Sequence, residues 1–311
     1  MDAHQPDPGR PDRITGDSRL ARAWAVAASA ARRYPRHLAH SIQQGLRGAV
    51  GSHPIGVATG PRPTSERLAA TWLGHAAVLL NLDGLTVLTD PVFSERIGLK
   101  LGPWTLGLRR REPAPVHELP PIDLVLISHS HFDHLDRPTL RRLVDRQTRV
   151  ITAANTKRLI PPGFGEVIEL PWDRATNING LRIAAMKPKH WGARTAWDRH
   201  RGYNSYVIEG PRAQVLFAGD TAYTDAFRGV RSELAIFGIG AYDPWIANHA
   251  NPEQVWDMFR QMPGEFLLPI HHSTFELSDE PAHEPMARLL KAAGDEAARV
   301  IGTTLAGLWK M

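Results

Sequence analysis

Apolar positions along the chain fall into two regimes that meet near residue 67. Residues 1–18 are polar and rich in Pro, Gly and Asp, too poor in apolar surface to order themselves, and predict a disordered tail. Over residues 19–47, Leu20, Trp24, Ala27, Ala28 and Ala31 recur among Arg22, Arg32, Arg33 and Arg36, a pattern of one or two helices. The apolar run at 23–31 falls short of the ~20 residues that span a bilayer. Its flanking Arg pair and upstream acids also make it a poor signal peptide. Such a basic amphipathic segment suits either packing on protein or peripheral contact with an anionic membrane. Gly, Pro, Ser and Thr then dominate a linker, so the expected organisation is a tail (1–18), a helical extension with linker (19–66) and one main domain (67–311).

From Leu68 onward the pattern alternates. Strands are predicted over 70–75, 77–82 and 85–89, with Asp83-Gly84 as the hairpin turn between the last two. The unbroken apolar run at 123–128 predicts a strand buried on both faces. Further strands are expected at 150–153, 181–186, 203–208, 214–218, 234–239 and 266–270, and helices at 138–146, 252–261 and 284–293. Many strands with helices interspersed mainly in the second half predict an α/β protein with sheets at its centre.

Composition narrows the chemistry. At 311 residues and 42% hydrophobic, the chain is neither fibrous nor disordered as a whole. With no Cys there are no disulfides, no thiol nucleophile and no Cys-based metal site, so any metal must be held by His, Asp or Glu. A formal charge of +5 permits phosphate-bearing partners and selects none of them.

The chemistry concentrates in His129-Ser130-His131-Phe132-Asp133-His134, immediately after the buried strand. Three imidazoles and a carboxylate in six residues have no use in a core, where each would need a hydrogen-bond partner. His129 and His131 can reach one metal, and the turn swings Asp133 and His134 towards a second. Four ligands are too few for two metals. His190, Asp220 and His271, each a polar residue closing an apolar strand, supply the remainder. Gly219 permits the sharp turn that presents Asp220. Imidazole and carboxylate suit Zn²⁺, and Fe or Mn accept the same ligand types.

This order of ligands resembles that of the metallo-β-lactamase-fold hydrolases. Other stretches are similar to the N-acyl-phosphatidylethanolamine-hydrolysing phospholipase D branch of that superfamily. They are Trp72-Leu73-Gly74-His75-Ala76, Thr89-Asp90-Pro91-Val92-Phe93-Ser94, Leu119-Pro120-Pro121-Ile122-Asp123, Phe217-Ala218-Gly219-Asp220-Thr221, Ile239-Gly240-Ala241-Tyr242 and Ile270-His271-His272-Ser273-Thr274-Phe275. The likeness covers residues 68–305 and leaves the N-terminal extension aside. It implies a four-layer αβ/βα sandwich with metals at one edge. It also implies two Zn²⁺, one on His129, His131 and His190, the other on Asp133, His134 and His271, with Asp220 bridging. His272 stands where the branch carries an aromatic residue, and His271, which directly continues the strand, is the expected ligand.

The chemistry implied is attack by a hydroxide shared between two cations about 3.5–4 Å apart. Asp133 orients that hydroxide or takes its proton, and His249 contacts a phosphate oxygen or the leaving group with support from Tyr242. His75 is either a supporting group or a turn former. Asp90 could hold a ligand His in its tautomer. Trp191 and Arg194 either line the pocket or lie on the surface, and the runs 109–111 and 141–142 read as solvated faces. The leading function is a phosphodiesterase of phospholipase D type on N-acyl-phosphatidylethanolamine-like lipids. The alternatives are a lactonase, thioesterase or β-lactamase-like hydrolase on the same site, and a metal-binding interaction protein without turnover. Nucleic acid is disfavoured, since no aromatic-rich basic platform is present. The resemblance further suggests a homodimer, cytoplasmic or peripheral to a membrane.

Overall fold

A computed structural model describes residues 56–57, 66–101, 104–112, 114, 118–195 and 198–311. The tail and helical extension expected over 1–47, and most of the linker, lie outside the described residues. Within 48–66 the structure gives a two-residue strand, β1 (Gly56–Val57), paired in parallel with β7 (Glu118–Leu119).

Two sheets form the domain. The first holds β2 (Leu68–Trp72), β3 (Val78–Leu82), β4 (Leu85–Thr89), β8 (Leu124–Ile127), β9 (Arg149–Thr152), β10 (Glu166–Glu169) and β17 (Leu308–Lys310), in the order β10-β9-β8-β4-β3-β2-β17. The second holds β11 (Ala175–Ile178), β12 (Leu181–Met186), β13 (Ser205–Glu209), β14 (Gln214–Phe217), β15 (Ser232–Gly238) and β16 (Gly264–Ile270), in chain order. Each sheet begins with antiparallel neighbours and continues with parallel ones: β4, β8, β9 and β10 in the first, β14, β15 and β16 in the second. A separate hairpin joins β5 (Arg96–Leu101) to β6 (Trp104–Arg109).

The alternation of strand residues sets the layers. Leu80, Val87, Leu124 and Leu126 of the first sheet pack against Ile183, Ile208, Val215 and Phe217 of the second in one buried core. Val125 and Ile127 turn the other way, onto Leu140 and Leu143 beside helix α1 (Arg137–Arg142). β8 is therefore apolar on both faces, as its unbroken pattern requires. The outer face of the second sheet is covered by α2 (Pro252–Arg260) and α3 (Glu284–Ala293), through residues such as Phe237, Val255, Phe259 and Leu289. The result is the expected αβ/βα sandwich. Helix α2 starts on a capping box: Asn251 accepts from the Gln254 amide at 2.9 Å, and the Gln254 side chain accepts from the Asn251 amide at 3.1 Å. Among the described residues no helix is long and apolar enough to cross a membrane.

One buried hydrogen bond crosses between the sheets close to the chemistry. The hydroxyl of Tyr206, fully buried, donates to the carbonyl of Ile127 at 2.9 Å and accepts from Asn204 at 3.1 Å. Removing it strands buried polar groups of both sheets, a loss of about 1–3 kcal/mol. Tyr206→Phe should lower unfolding stability by that amount in denaturant titrations, with the slope unchanged. A neutral effect would mean that the bond is replaceable.

Candidate metal centre

All the chemistry-bearing loops leave the C-terminal ends of strands. Asp90 follows β4, His129 to His134 follow β8, His190 follows β12, Asp220 follows β14, the loop carrying His249 follows β15, and His271 follows β16. Parallel strands in open α/β sheets present their ligand-binding loops at these carboxyl ends. At Gly219, φ is +59° and a Cβ would stand 2.9 Å from that of Ser128, so the turn that delivers Asp220 to the first sheet requires glycine.

Ligand atoms of His129, His131, His190 and Asp220 all lie within 4.8 Å of one another, and so do those of His75, Asp133, His134 and His271. The carboxylate of Asp220 stands between the groups. Its Oδ2 is 3.1 Å from His134 Nε2, 3.3 Å from His271 Nε2, 3.6 Å from His190 Nε2 and 3.8 Å from His129 Nε2. Asp133 Oδ2 is 3.3 Å from His271 Nε2 and 3.6 Å from His134 Nε2. Tetrahedral ligation at about 2.0–2.2 Å separates neighbouring ligand atoms by roughly 3.3–3.6 Å, so the spacing around Asp133, His134, His271 and Asp220 fits a divalent ion.

The surroundings aim these atoms inward. Asp90, wholly buried, accepts from His134 Nδ1 at 2.6 Å and from the amide and hydroxyl of Ser128, which leaves His134 Nε2 facing the cluster. His190 Nδ1 donates to the carbonyl of Asn248 at 3.0 Å and frees Nε2 in the same way. His131 Nε2, His134 Nε2, His190 Nε2, His271 Nε2 and Asp220 Oδ1 are buried without a hydrogen-bond partner. So many converging orphans have no place in a hydrogen-bonded interior, and they fit a cation.

Charge points the same way. Burial, reinforced by neighbouring imidazoles, pushes His129 well below the usual histidine range and His131 to about 3, so both rings are neutral. Burial also lowers His134, but Asp220, Asp133 and Asp90 outweigh it and raise that ring well above its ordinary value. Burial would likewise raise Asp133 and Asp220, yet His134 and the other surrounding imidazoles hold both well below the carboxylate range. Asp133 and Asp220 are thus ionised though buried, and two such carboxylates side by side favour positive charge between them.

The seven expected ligands therefore come together. His271 turns into the cluster with φ of 61°, whereas His272 stacks on Trp72 at 4.6 Å with its Nδ1 on Ser273. His249 sits beside the cluster, with Nδ1 3.8 Å from Asp220 and its ring 5.2 Å from that of His271. Tyr242 is tied to the helix behind the loop. Its hydroxyl donates to Glu284 at 2.7 Å and the Arg288 guanidinium lies 4.8 Å from its ring centre, so it braces α3. Arg110 is a correction, because within the 109–111 run it is buried and not solvated. It donates to the carbonyls of Val92 and Leu73 at 2.9 and 3.1 Å and so ties together the loops that follow β4 and β2. Arg194 donates to the carbonyls of Ser130 and Leu135, both at 2.8 Å, and stacks on Phe132, which braces the histidine loop from behind. Trp191 packs 4.5 Å from His131 and remains 49% exposed, at the mouth. Asn248 carries no signal of its own in the sequence, because its contribution is a backbone carbonyl.

Comparison with known proteins agrees with this architecture. The model of the β-lactamase superfamily domain matches residues 86–272. A protein of Mycobacterium tuberculosis is 34% identical over 258 residues, covering 76% of this chain and 66% of the relative. The N-acyl-phosphatidylethanolamine-hydrolyzing phospholipase D 1 of Caenorhabditis elegans is 30% identical over 234 residues, covering 68% of this chain and 65% of the relative. The chain thus spans just under two thirds of the length of these curated relatives. The solved structure of a possible metal-dependent hydrolase from Veillonella parvula shares the fold, with a TM-score of 0.61 at 13% identity, covering 79% of this chain and all of that one. The chain belongs to the metallo-β-lactamase-fold superfamily. Within it, the chain is similar to the N-acyl-phosphatidylethanolamine-hydrolysing phospholipases D.

Asp90→Asn leaves one acceptor oxygen for Ser128 and His134 and puts an amide donor in place of the other, so metal affinity should fall roughly 10–100-fold. Competition against a chelator measures it, with circular dichroism to confirm folding. Unchanged affinity would show that Asp90 serves only the fold.

Proposed function

We propose that this protein is a metal-dependent hydrolase that holds two divalent ions, zinc by the character of its ligands, and cleaves phosphodiesters of N-acyl-phosphatidylethanolamine-like phospholipids. The observation that carries the reading is the position of Asp220 Oδ2, within 3.1–3.8 Å of imidazole nitrogens from both ligand groups, where one carboxylate can serve two ions. Ions bound there would activate water and neutralise charge on the phosphoryl oxygens.

The chain's own residues do the rest. The Asp133 side chain is 13% exposed, against 2% for Asp220 and none for Asp90, so it is the site carboxylate that meets substrate and orients the attacking water. His249 is neutral, because burial pushes it well below its ordinary value, and it stands at the open side of the cluster. A neutral imidazole there can donate a hydrogen bond to the leaving oxygen. Trp191, exposed beside His131, gives the mouth an apolar rim suited to a lipid chain. The phospholipid preference is supported by the relatives of the branch, and the basic balance of the chain suits a lipid phosphate. Residues 19–47 would add peripheral membrane contact, with the chain acting as a homodimer on the cytoplasmic side.

Bis(p-nitrophenyl) phosphate, followed by N-acyl-phosphatidylethanolamine vesicles, tests the reading. Phosphatidic acid and N-acylethanolamine are the expected products. Diacylglycerol as product, or a lactone or thioester turned over far faster than any phosphodiester, would contradict it. His249→Ala should lower kcat by about 10²-fold or more while metal content stays at the wild-type level.

A further inference from the structure

We propose that His75 is a positioning residue of the second ligand group, donating from Nε2 to Oδ2 of Asp133 and so fixing the direction in which that carboxylate faces the ion. The inference rests on the reading of the cluster as a metal centre and assigns a residue which that reading leaves without a role.

His75 occupies the turn between β2 and β3 with φ of 52°, a left-handed conformation that a non-glycine side chain adopts only when its surroundings enforce it. The enforcement is visible. Its amide donates to Thr274 Oγ1 at 2.7 Å, and its carbonyl accepts from the His271 amide and from Trp72 Nε1, each at 2.9 Å. His271 has a positive φ of its own, 61°. A turn of the first sheet is thus bolted to a turn of the second, and both residues in the left-handed region are histidines of the same cluster.

The side chain is as constrained as the backbone. The ring is buried, with centroids 4.2 Å from His271, 5.2 Å from Phe275 and 5.4 Å from His134. Nε2 lies 3.0 Å from Asp133 Oδ2, while Nδ1 has no partner. An imidazole that leaves one nitrogen unpaired in the interior is a poor filler, since an apolar side chain would avoid that penalty. What the imidazole adds is the bond to Asp133. Asp133 is the most exposed of the site carboxylates, so it is the ligand with most need of an anchor. Hydrogen-bond partners of ligating groups commonly set their orientation and affinity.

Titration of the full-length apoprotein with Co²⁺, followed by visible absorption, tests this. His75→Asn keeps a residue tolerant of positive φ but is too short to reach Asp133. His75→Gln restores an N–H donor at about the right reach. In the Asn variant the second equivalent of cobalt should bind roughly 10–100-fold more weakly, with the first equivalent unchanged. In the Gln variant affinity should return to within about threefold of wild type, with the wild-type ligand-field bands. Wild-type cobalt binding in the Asn variant would overturn the proposal, and so would a Gln variant as weak as Asn with altered bands, the signature of His75 as a ligand itself. Melting temperatures of the apoproteins separate a folding defect from weakened binding. A wild type that takes up no cobalt would overturn the metal reading and this inference with it.

Discussion

A carboxylate withdrawn from water must be neutralised by what surrounds it, and the domain brings three such groups, Asp90, Asp133 and Asp220, to one edge of its sandwich. The imidazoles facing them come from both sheets, so the charge balance of the site can be completed only when the sheets are in register. Asp220 depends most on this. Its oxygen belongs to a loop of the second sheet, yet its nearest imidazole nitrogen is on His134, from the first. The metal centre proposed here would hold the Asp133 and Asp220 carboxylates together with the imidazoles of both sheets.

Much of the remaining architecture holds the two edges together. The Tyr206 hydroxyl spans the sheets beneath Ser128, Gly219 lets the second sheet approach the first within van der Waals distance, and the His75 carbonyl ties to the His271 amide above. Arg110 closes the arrangement from the hairpin side through the carbonyls of Leu73 and Val92. These contacts explain why a site built from scattered chain segments can be rigid without ligands contributed by regular helices. They also explain its polarity: the apolar core lies between the sheets, and the charged groups sit only where strands end.

The sequence was most informative where burial is simple. Leu181–Met186 and Glu284–Ala293 match their predicted limits, because a clean period of two or of 3.6 leaves little choice of face. The β5–β6 hairpin was missed because Gly98 and Gly107, paired opposite each other, break its apolar pattern. Strands β10, β11 and β17 were missed because edge strands carry only half a pattern and form through pairing with a neighbour. Helix α1 ends at Arg142, short of the expected 146. At the site, the histidine-rich motif and the strand-end ligands were legible from residue type and context. The partners of His75, Arg110 and Tyr242 were not, since Asp133, the Leu73 carbonyl and Glu284 lie far away in sequence and meet them only through packing.

The central claim is that one carboxylate joins two metal subsites. Anomalous diffraction at the zinc edge, from crystals of the full chain grown with zinc, addresses it most directly. Two peaks about 3.5–4 Å apart are expected, one on each side of the Asp220 carboxylate. A single peak, or two peaks of which only one contacts Asp220, would contradict it.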